Sequence, residues 1–223
     1  MNFIYKYIKN IKKLTNKDEF VNNNLNKYKI FNDAFLINLD SRNDKLEYCT
    51  NELQKVNIKF KKFSGIIPKT KGFFDVIGAK GCYESHRQIL LNNICNEYPI
   101  LIMEDDISFT NEFNKINDYI NSIPNDYDIL YFYCLNNINN KSKWIRSKTS
   151  GTHFYIVNNK SIIKILKQID HHIKNQRAID SAYMSSDLIT YCTTQQLVLQ
   201  NISKLKSDIN IKQKIPKRLK YII

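Results

Sequence analysis

The chain has 223 residues, 43% hydrophobic and 25% charged, which suffices for one ordinary domain with a real core and excludes a disordered chain. A formal charge of +13 suggests nucleic acid, but residues 1–30 carry seven Lys against Asp18 and Glu19, and residues 210–223 carry five cations and no acid. Only +3 remains for residues 31–209, so the basicity belongs to two solvated ends, and a specific nucleic-acid partner is not expected.

Taken in chain order, "MNFIYKYIKNIKKL" predicts a basic surface helix, interrupted by Lys too often to be a signal peptide. Weak contact between these basic ends and an anionic membrane surface is the alternative use for them. "AFLINLD" (34–40) predicts a buried strand, and residues 41–57 an amphipathic helix with Leu46, Cys49, Leu53 and Val56 on one stripe and Ser41 as its cap. "IKFKKF" (58–63) predicts a second strand and residues 64–78 a loop. Residues 82–98 follow as a helix, which Pro99 cannot continue. "ILIM" (100–103) is the central buried strand, residues 111–123 a helix, and "DILYFYCL" (128–135) another continuous apolar strand. A strand at 151–157, helices at 161–169 and about 177–186, and a strand at 196–200 complete the series. Strands that alternate with helices and are apolar on both faces predict a single α/β domain, its central, mostly parallel sheet flanked by helices. The expected organisation is a helical basic flank over 1–30, the domain over 31–209 and a basic tail over 210–223.

Five Cys, at 49, 82, 95, 134 and 192, form an odd set without CxxC, which argues against a disulfide framework and against a zinc site. No apolar run approaches the ~20 residues that span a bilayer. A reduced, cytoplasmic protein is expected, with a membrane surface as the alternative location. High Asn, Lys and Ile content points to an AT-rich genome; were that genome viral, host cytoplasm or the virion would be the place.

Acidity concentrates where "ILIM" runs into Glu104, Asp105 and Asp106. Ligands of open α/β sheets sit beyond the carboxyl ends of the strands, and a divalent cation relieves repulsion among acids placed there. Hard oxygen ligands favour Mn²⁺ or Mg²⁺, with a nucleotide diphosphate completing the shell. The competing reading makes these acids the start of the next helix.

Several stretches in one order resemble glycosyltransferase family 25, the group containing lipooligosaccharide galactosyltransferases and the catalytic domains of procollagen galactosyltransferases. They are residues 35–66, "GAKGCYESHRQIL" (78–90), "ILIMEDDISF" (100–109), "GTHFYIVNNKSIIKIL" (151–166), Asp180 in "AIDSAY" and "LVLQNISKLKSDI" (197–209). The resemblance implies a GT-A-like (Rossmann-like) fold and a metal-dependent, inverting transfer of a hexose, galactose or a related sugar. The donor would be a UDP-sugar, with Mn²⁺ or Mg²⁺, and the acceptor a glycan or hydroxylated protein. Asn38, Leu39, Asp40 and Arg42 would form the nucleotide pocket, though Asp40 and Ser41 would equally cap a helix. Gly78 and Gly81 would let backbone approach the ligand, while Ser85 and His86 would face donor sugar or diphosphate. Asp106 would hold the metal directly, with Glu104 through water or on the ribose and Asp105 beside them. Gly151 and Thr152 would open the acceptor side, and Asp208 would approach the metal or start the tail. Asp180 would be the base, with Asp187 and Glu84 as rivals and a helix-cap role as its alternative. Two departures stand out: Ser64–Gly65 lacks the acid that often precedes this glycine, and a short loop before Gly78 implies a simpler acceptor site. A non-catalytic nucleotide-sugar or glycan-binding module of the same fold is the second reading.

Overall fold

The computed structural model describes residues 30–134 and 142–201; the expected basic flank up to residue 29, the tail over 210–223 and Asp208 lie outside them. Seven strands form one sheet in the order β2-β1-β3-β7-β5-β8-β6. Their ranges are β1 Asp33–Asn38, β2 Lys61–Ser64, β3 Ile100–Glu104, β5 Ile129–Tyr131, β6 Trp144–Arg146, β7 Phe154–Val157 and β8 Thr190–Thr193. β2, β1, β3, β5 and β8 run in one direction, and β7 and β6 oppose them. The result is the mostly parallel, Rossmann-like α/β sheet that the sequence predicts. A separate antiparallel pair joins β4, Ile107–Phe109, to β9, Val198–Gln200.

β3 explains the architecture. Ile100, Leu101, Ile102 and Met103 are all fully buried, because each face of the strand meets its own hydrophobic layer. Ile100 and Ile102 pack with Leu90 of α2 (Ile77–Asn92) and with α4 (Ile162–Gln176) and α5 (Ile179–Met184). Leu101 and Met103 pack with Cys49 and Leu53 of α1 (Asn43–Lys55) and with Ile116 and Tyr119 of α3 (Ile116–Ile120). Burying one such aliphatic side chain contributes roughly 1.5–3 kcal/mol, so this strand holds both layers to the sheet.

Several elements differ from the sequence expectation for local reasons. α2 starts at Ile77 and stops at Asn92, well short of Pro99, because the Asn93 amide donates back to the Ile89 carbonyl. The expected strand over 128–135 keeps only Ile129–Tyr131, since the Phe132 carbonyl is taken by the N–H groups of Leu197 and Val198. The helix expected over 111–123 is a 3₁₀ turn, Asn111–Lys115, followed by the short α3. α4 runs on to Gln176, where Arg177 adopts a left-handed conformation (φ 57°) that ends it. Arg42, not Ser41, occupies the position before α1, and no side chain caps that helix.

Candidate active site

The carboxyl ends of β1 and β3 open into a cleft of about 230 Å³, closed on one side by α2 and on another by the loop of Ile66–Pro68. The loop is fastened to the helix by two devices. The Ile66 N–H donates to Ser85 Oγ (2.9 Å), and that hydroxyl donates to the Gly81 carbonyl (2.7 Å). A Cβ on Gly81 would sit 2.5 Å from the Ile66 carbonyl oxygen, so only glycine lets helix and loop meet. Gly81 therefore admits the protein's own backbone, and it also lines the cleft where the sequence expects a ligand. Gly78 lies on the cleft wall in the first turn of α2, not in a loop. Gly81→Ala should displace the loop and cost roughly 1–3 kcal/mol, read as a lowered denaturation midpoint at unchanged m-value.

The acidic tip is divided among three environments. Glu104 ends β3, and its Oε1 lies 3.1 Å from His86 Nε2 and accepts from the Thr152 hydroxyl at 2.5 Å. Burial pushes its carboxyl up, but these hydrogen bonds outweigh burial and hold it down to about 2. Asp105 turns to the α1 side, where its Oδ2 accepts from Asn38 Nδ2 (2.8 Å) and its Oδ1 lies 3.3 Å from Lys45 Nζ. Asp106 is buried; Gln200 Nε2 donates to its Oδ2 (3.0 Å), while its Oδ1 has no hydrogen-bond partner among the described residues. Burial first, and the Glu104 charge second, push the Asp106 carboxyl up to about 7. Asn38 Oδ1 is a second buried oxygen without a partner, also on the cleft wall. A buried carboxylate oxygen that no donor satisfies is costly unless a cation meets it. Asp106 Oδ1 thus suits a hard divalent ion, which Asp106 would hold.

Asn38, Leu39, Ser85, His86, Glu104, Asp105 and Asp106 all line the cleft. Three other candidates, Asp40, Arg42 and Asp180, stand outside its lining. Asp40 is exposed and bonded to Ser64 and Lys62, the Lys62 ammonium holding its carboxyl below the ordinary range. Arg42 grips Asp44 with two hydrogen bonds, Nε to Oδ1 (2.9 Å) and Nη2 to Oδ2 (2.8 Å). Asp180 stands half-buried in the first turn of α5, where its Oδ1 accepts the Ser181 N–H at 2.8 Å. It does not line the cleft, whereas the half-buried Cys82, whose thiol is raised by burial first, then by the Glu104 and Asp180 charges, does. Of its rivals, Glu84 lies 3.7 Å from Lys80, and Asp187 borders a separate surface hollow.

Sequence reasoning missed two site residues. Lys45 is a nearly buried cation on the cleft wall, and the stripe it shares with Cys49 and Leu53 on α1 would have revealed it. His153, whose carbonyl accepts the Glu104 N–H (3.0 Å), is buried, and burial pushes its imidazole down to about 4. Only the β3–β7 pairing brings it there, and no local signal in the sequence foretells that.

Acids converge at the carboxyl edge of a mixed α/β sheet, above a cleft that also holds a buried lysine, where ligands of open α/β sheets sit. The model of glycosyltransferase family 25, described as an LPS biosynthesis protein family, matches residues 77–190, just over half the chain. The chain belongs to glycosyltransferase family 25. Membership indicates glycosyltransferase activity, with a nucleotide-sugar donor and a glycan acceptor. No curated protein matches the chain. Among the described residues no helix is long and apolar enough to cross a membrane.

Proposed function

We propose that the protein transfers a hexose, galactose or a close relative, from a UDP-sugar to a hydroxyl of a glycan or hydroxylated protein, with Mn²⁺ or Mg²⁺ at Asp106. The observation that carries this reading is the Asp106 carboxylate, buried at the cleft with one oxygen unpartnered beside a second acid, Glu104. A divalent ion there would supply charge neutralisation for the departing diphosphate. Lys45 adds a fixed positive charge on the same wall, and Asn38 offers its free carbonyl oxygen to a donor hydroxyl. His86 and Thr152 hold Glu104 ionised and oriented, leaving it to bind ribose or a water of the metal. Asp180 is assigned as the base that accepts the acceptor's hydroxyl proton as that oxygen bonds to the anomeric carbon. One displacement of this kind breaks the bond to the diphosphate and inverts the anomeric centre.

The test is thermal stability in the presence of UDP-galactose, UDP-glucose and related donors, with Mn²⁺ and with chelator. A ligand that binds only the folded state raises the melting temperature, and the expected rise needs sugar nucleotide and metal together. Equal rises with chelator would overturn the metal reading, and no rise with any nucleotide sugar would overturn the donor reading. Asp180→Asn should lower kcat at least about 100-fold, within the range of general-base losses, with the donor KM unchanged. An unchanged kcat would remove Asp180 from the role.

A further inference from the structure

We infer that Cys82, His86 and Glu104 form a second metal site in the cleft wall, suited to a soft divalent ion such as Zn²⁺ and separate from the hard-ion position at Asp106. The absence of CxxC argued against zinc, but a helix supplies another spacing: Cys82 and His86 stand four residues apart on α2, facing the end of β3. One donor atom from each of the three residues lies within 4.8 Å of the other two. His86 Nε2 is 3.1 Å from Glu104 Oε1, and Cys82 Sγ is 4.0 Å from the same oxygen. Tetrahedral zinc, with bonds of about 2.0 Å to N and O and about 2.3 Å to S, holds N and O donors about 3.3 Å apart and S and O donors about 3.5 Å apart. The His86–Glu104 separation is within a few tenths of an ångström of that geometry, the Cys82–Glu104 separation is about 0.5 Å too long, and Cys82 and His86, no more than 4.8 Å apart, close the rest by rotation of the Cys82 side chain.

The support around the ligands is already built. His86 Nδ1 shares a hydrogen bond with the Tyr155 hydroxyl (2.8 Å), which in turn lies 3.3 Å from the Tyr183 hydroxyl. A buried hydroxyl on the far ring nitrogen fixes the imidazole's orientation, as in established zinc sites. The Thr152 hydroxyl donates to the same Glu104 oxygen, Oε1, and fixes that carboxylate in place. All three ligands line the cleft, so an ion can enter from solvent and keep water in its fourth position. Thiolate and imidazole select zinc, whereas carboxylate and water select manganese or magnesium, so the two positions sort ions by softness. Binding releases the Cys82 thiol proton to solvent. The site takes Glu104 through Oε1, leaving its other carboxylate oxygen to the ribose or metal-bound water of the sugar-transfer reading, and its test does not depend on that reading.

The experiment titrates the full chain, reduced and stripped of metal, with Co²⁺ as a coloured stand-in for zinc. One equivalent should produce a thiolate-to-cobalt charge-transfer band that Zn²⁺ abolishes by displacement. Cys82→Ser should remove the band, Cys95→Ser at the exposed thiol should leave it, and Tyr155→Phe should weaken affinity by about tenfold or more. No band in the native chain, or a band that survives in Cys82→Ser, overturns the site. If Cys82→Ser fails to fold, cadmium NMR of the native chain decides: a thiolate-coordinated signal supports the site, and a signal from oxygen and nitrogen ligands alone overturns it.

Discussion

Asp106→Asn is expected to abolish metal-dependent hydrolysis and transfer of a UDP-sugar, while the metal-free protein melts at the same temperature or higher. Asparagine keeps the side chain's volume and an acceptor for Gln200 Nε2. It removes a buried negative charge that Glu104 repels. The Asp106 carboxyl, ordinarily near 3.8, is raised to about 7 in the fold. The fold therefore prefers the protonated acid. Its stabilising contribution is complete below about 3.8 and is lost as pH rises through about 7. The variant lacks this loss, so its advantage over the native protein should grow between those values. Each kcal/mol relieved corresponds to a rise of about 2–4 °C for a chain of this size. Metal works in the opposite sense. It must displace the proton, so native affinity for Mn²⁺ should fall as pH drops below about 7. Removing a direct ligand should cost more than the roughly 10–100-fold typical of residues that merely support one. Donor hydrolysis with Mn²⁺, together with melting curves across the pH range, measures both effects. Activity within about tenfold of native would place the metal elsewhere.

What the sequence revealed of this site follows from where each signal resides. "ILIM" could be read as the middle strand because a strand buried on both faces is apolar at every position. The acids after it then had to stand at the sheet's edge. β6 and β8 were not legible: they are three and four residues long, and "TYCT" shows neither alternation nor an apolar run. On α2, Ser85 and Gly81 line the cleft and also hold the Ile66 loop, a second use that no local pattern foretells. Asp40 and Arg42, which the resemblance places at the nucleotide, pair with Lys62, Ser64 and Asp44 and do not line the cleft. Such pairings depend on how β1 and β2 align, which periodicity does not encode. Thr152 and His153 reach Glu104 through an antiparallel neighbour about fifty residues away, a register that only the folded sheet defines.

The same dependence on long-range register makes Asp128 a polar position where a substitution should cost much stability. Asp128 is buried just before β5, and its carboxylate joins two other elements to that strand. It accepts from the Ser161 hydroxyl (2.6 Å) and pairs with Lys164 at the start of α4, and it accepts the Ile189 N–H (2.7 Å) leading into β8. α4 has no acid in its own first turn, so Asp128 also supplies the negative charge that its N-terminus favours. Asp128→Ala leaves the Ser161 hydroxyl and the Ile189 N–H without their acceptor, a loss of about 3 kcal/mol at roughly 1 kcal/mol or more per bond. The melting temperature should fall by roughly 6–12 °C. Burial pushes this carboxyl up, but Lys164, Ser161 and the Ile189 amide together hold it below 3.8. Its contribution is therefore complete above that value and is lost as pH falls through the lower folded value. Native and variant curves should converge in acid and separate towards neutral pH, with Asp128→Asn between them because it keeps an acceptor. Asp128 does not line the cleft, so the donor KM of the folded fraction should stay unchanged. A variant melting within about 2 °C of native would mean that backbone pairing alone fixes these three elements, since the N–H of Asp128 bonds to the Ile189 carbonyl (2.8 Å) whatever its side chain.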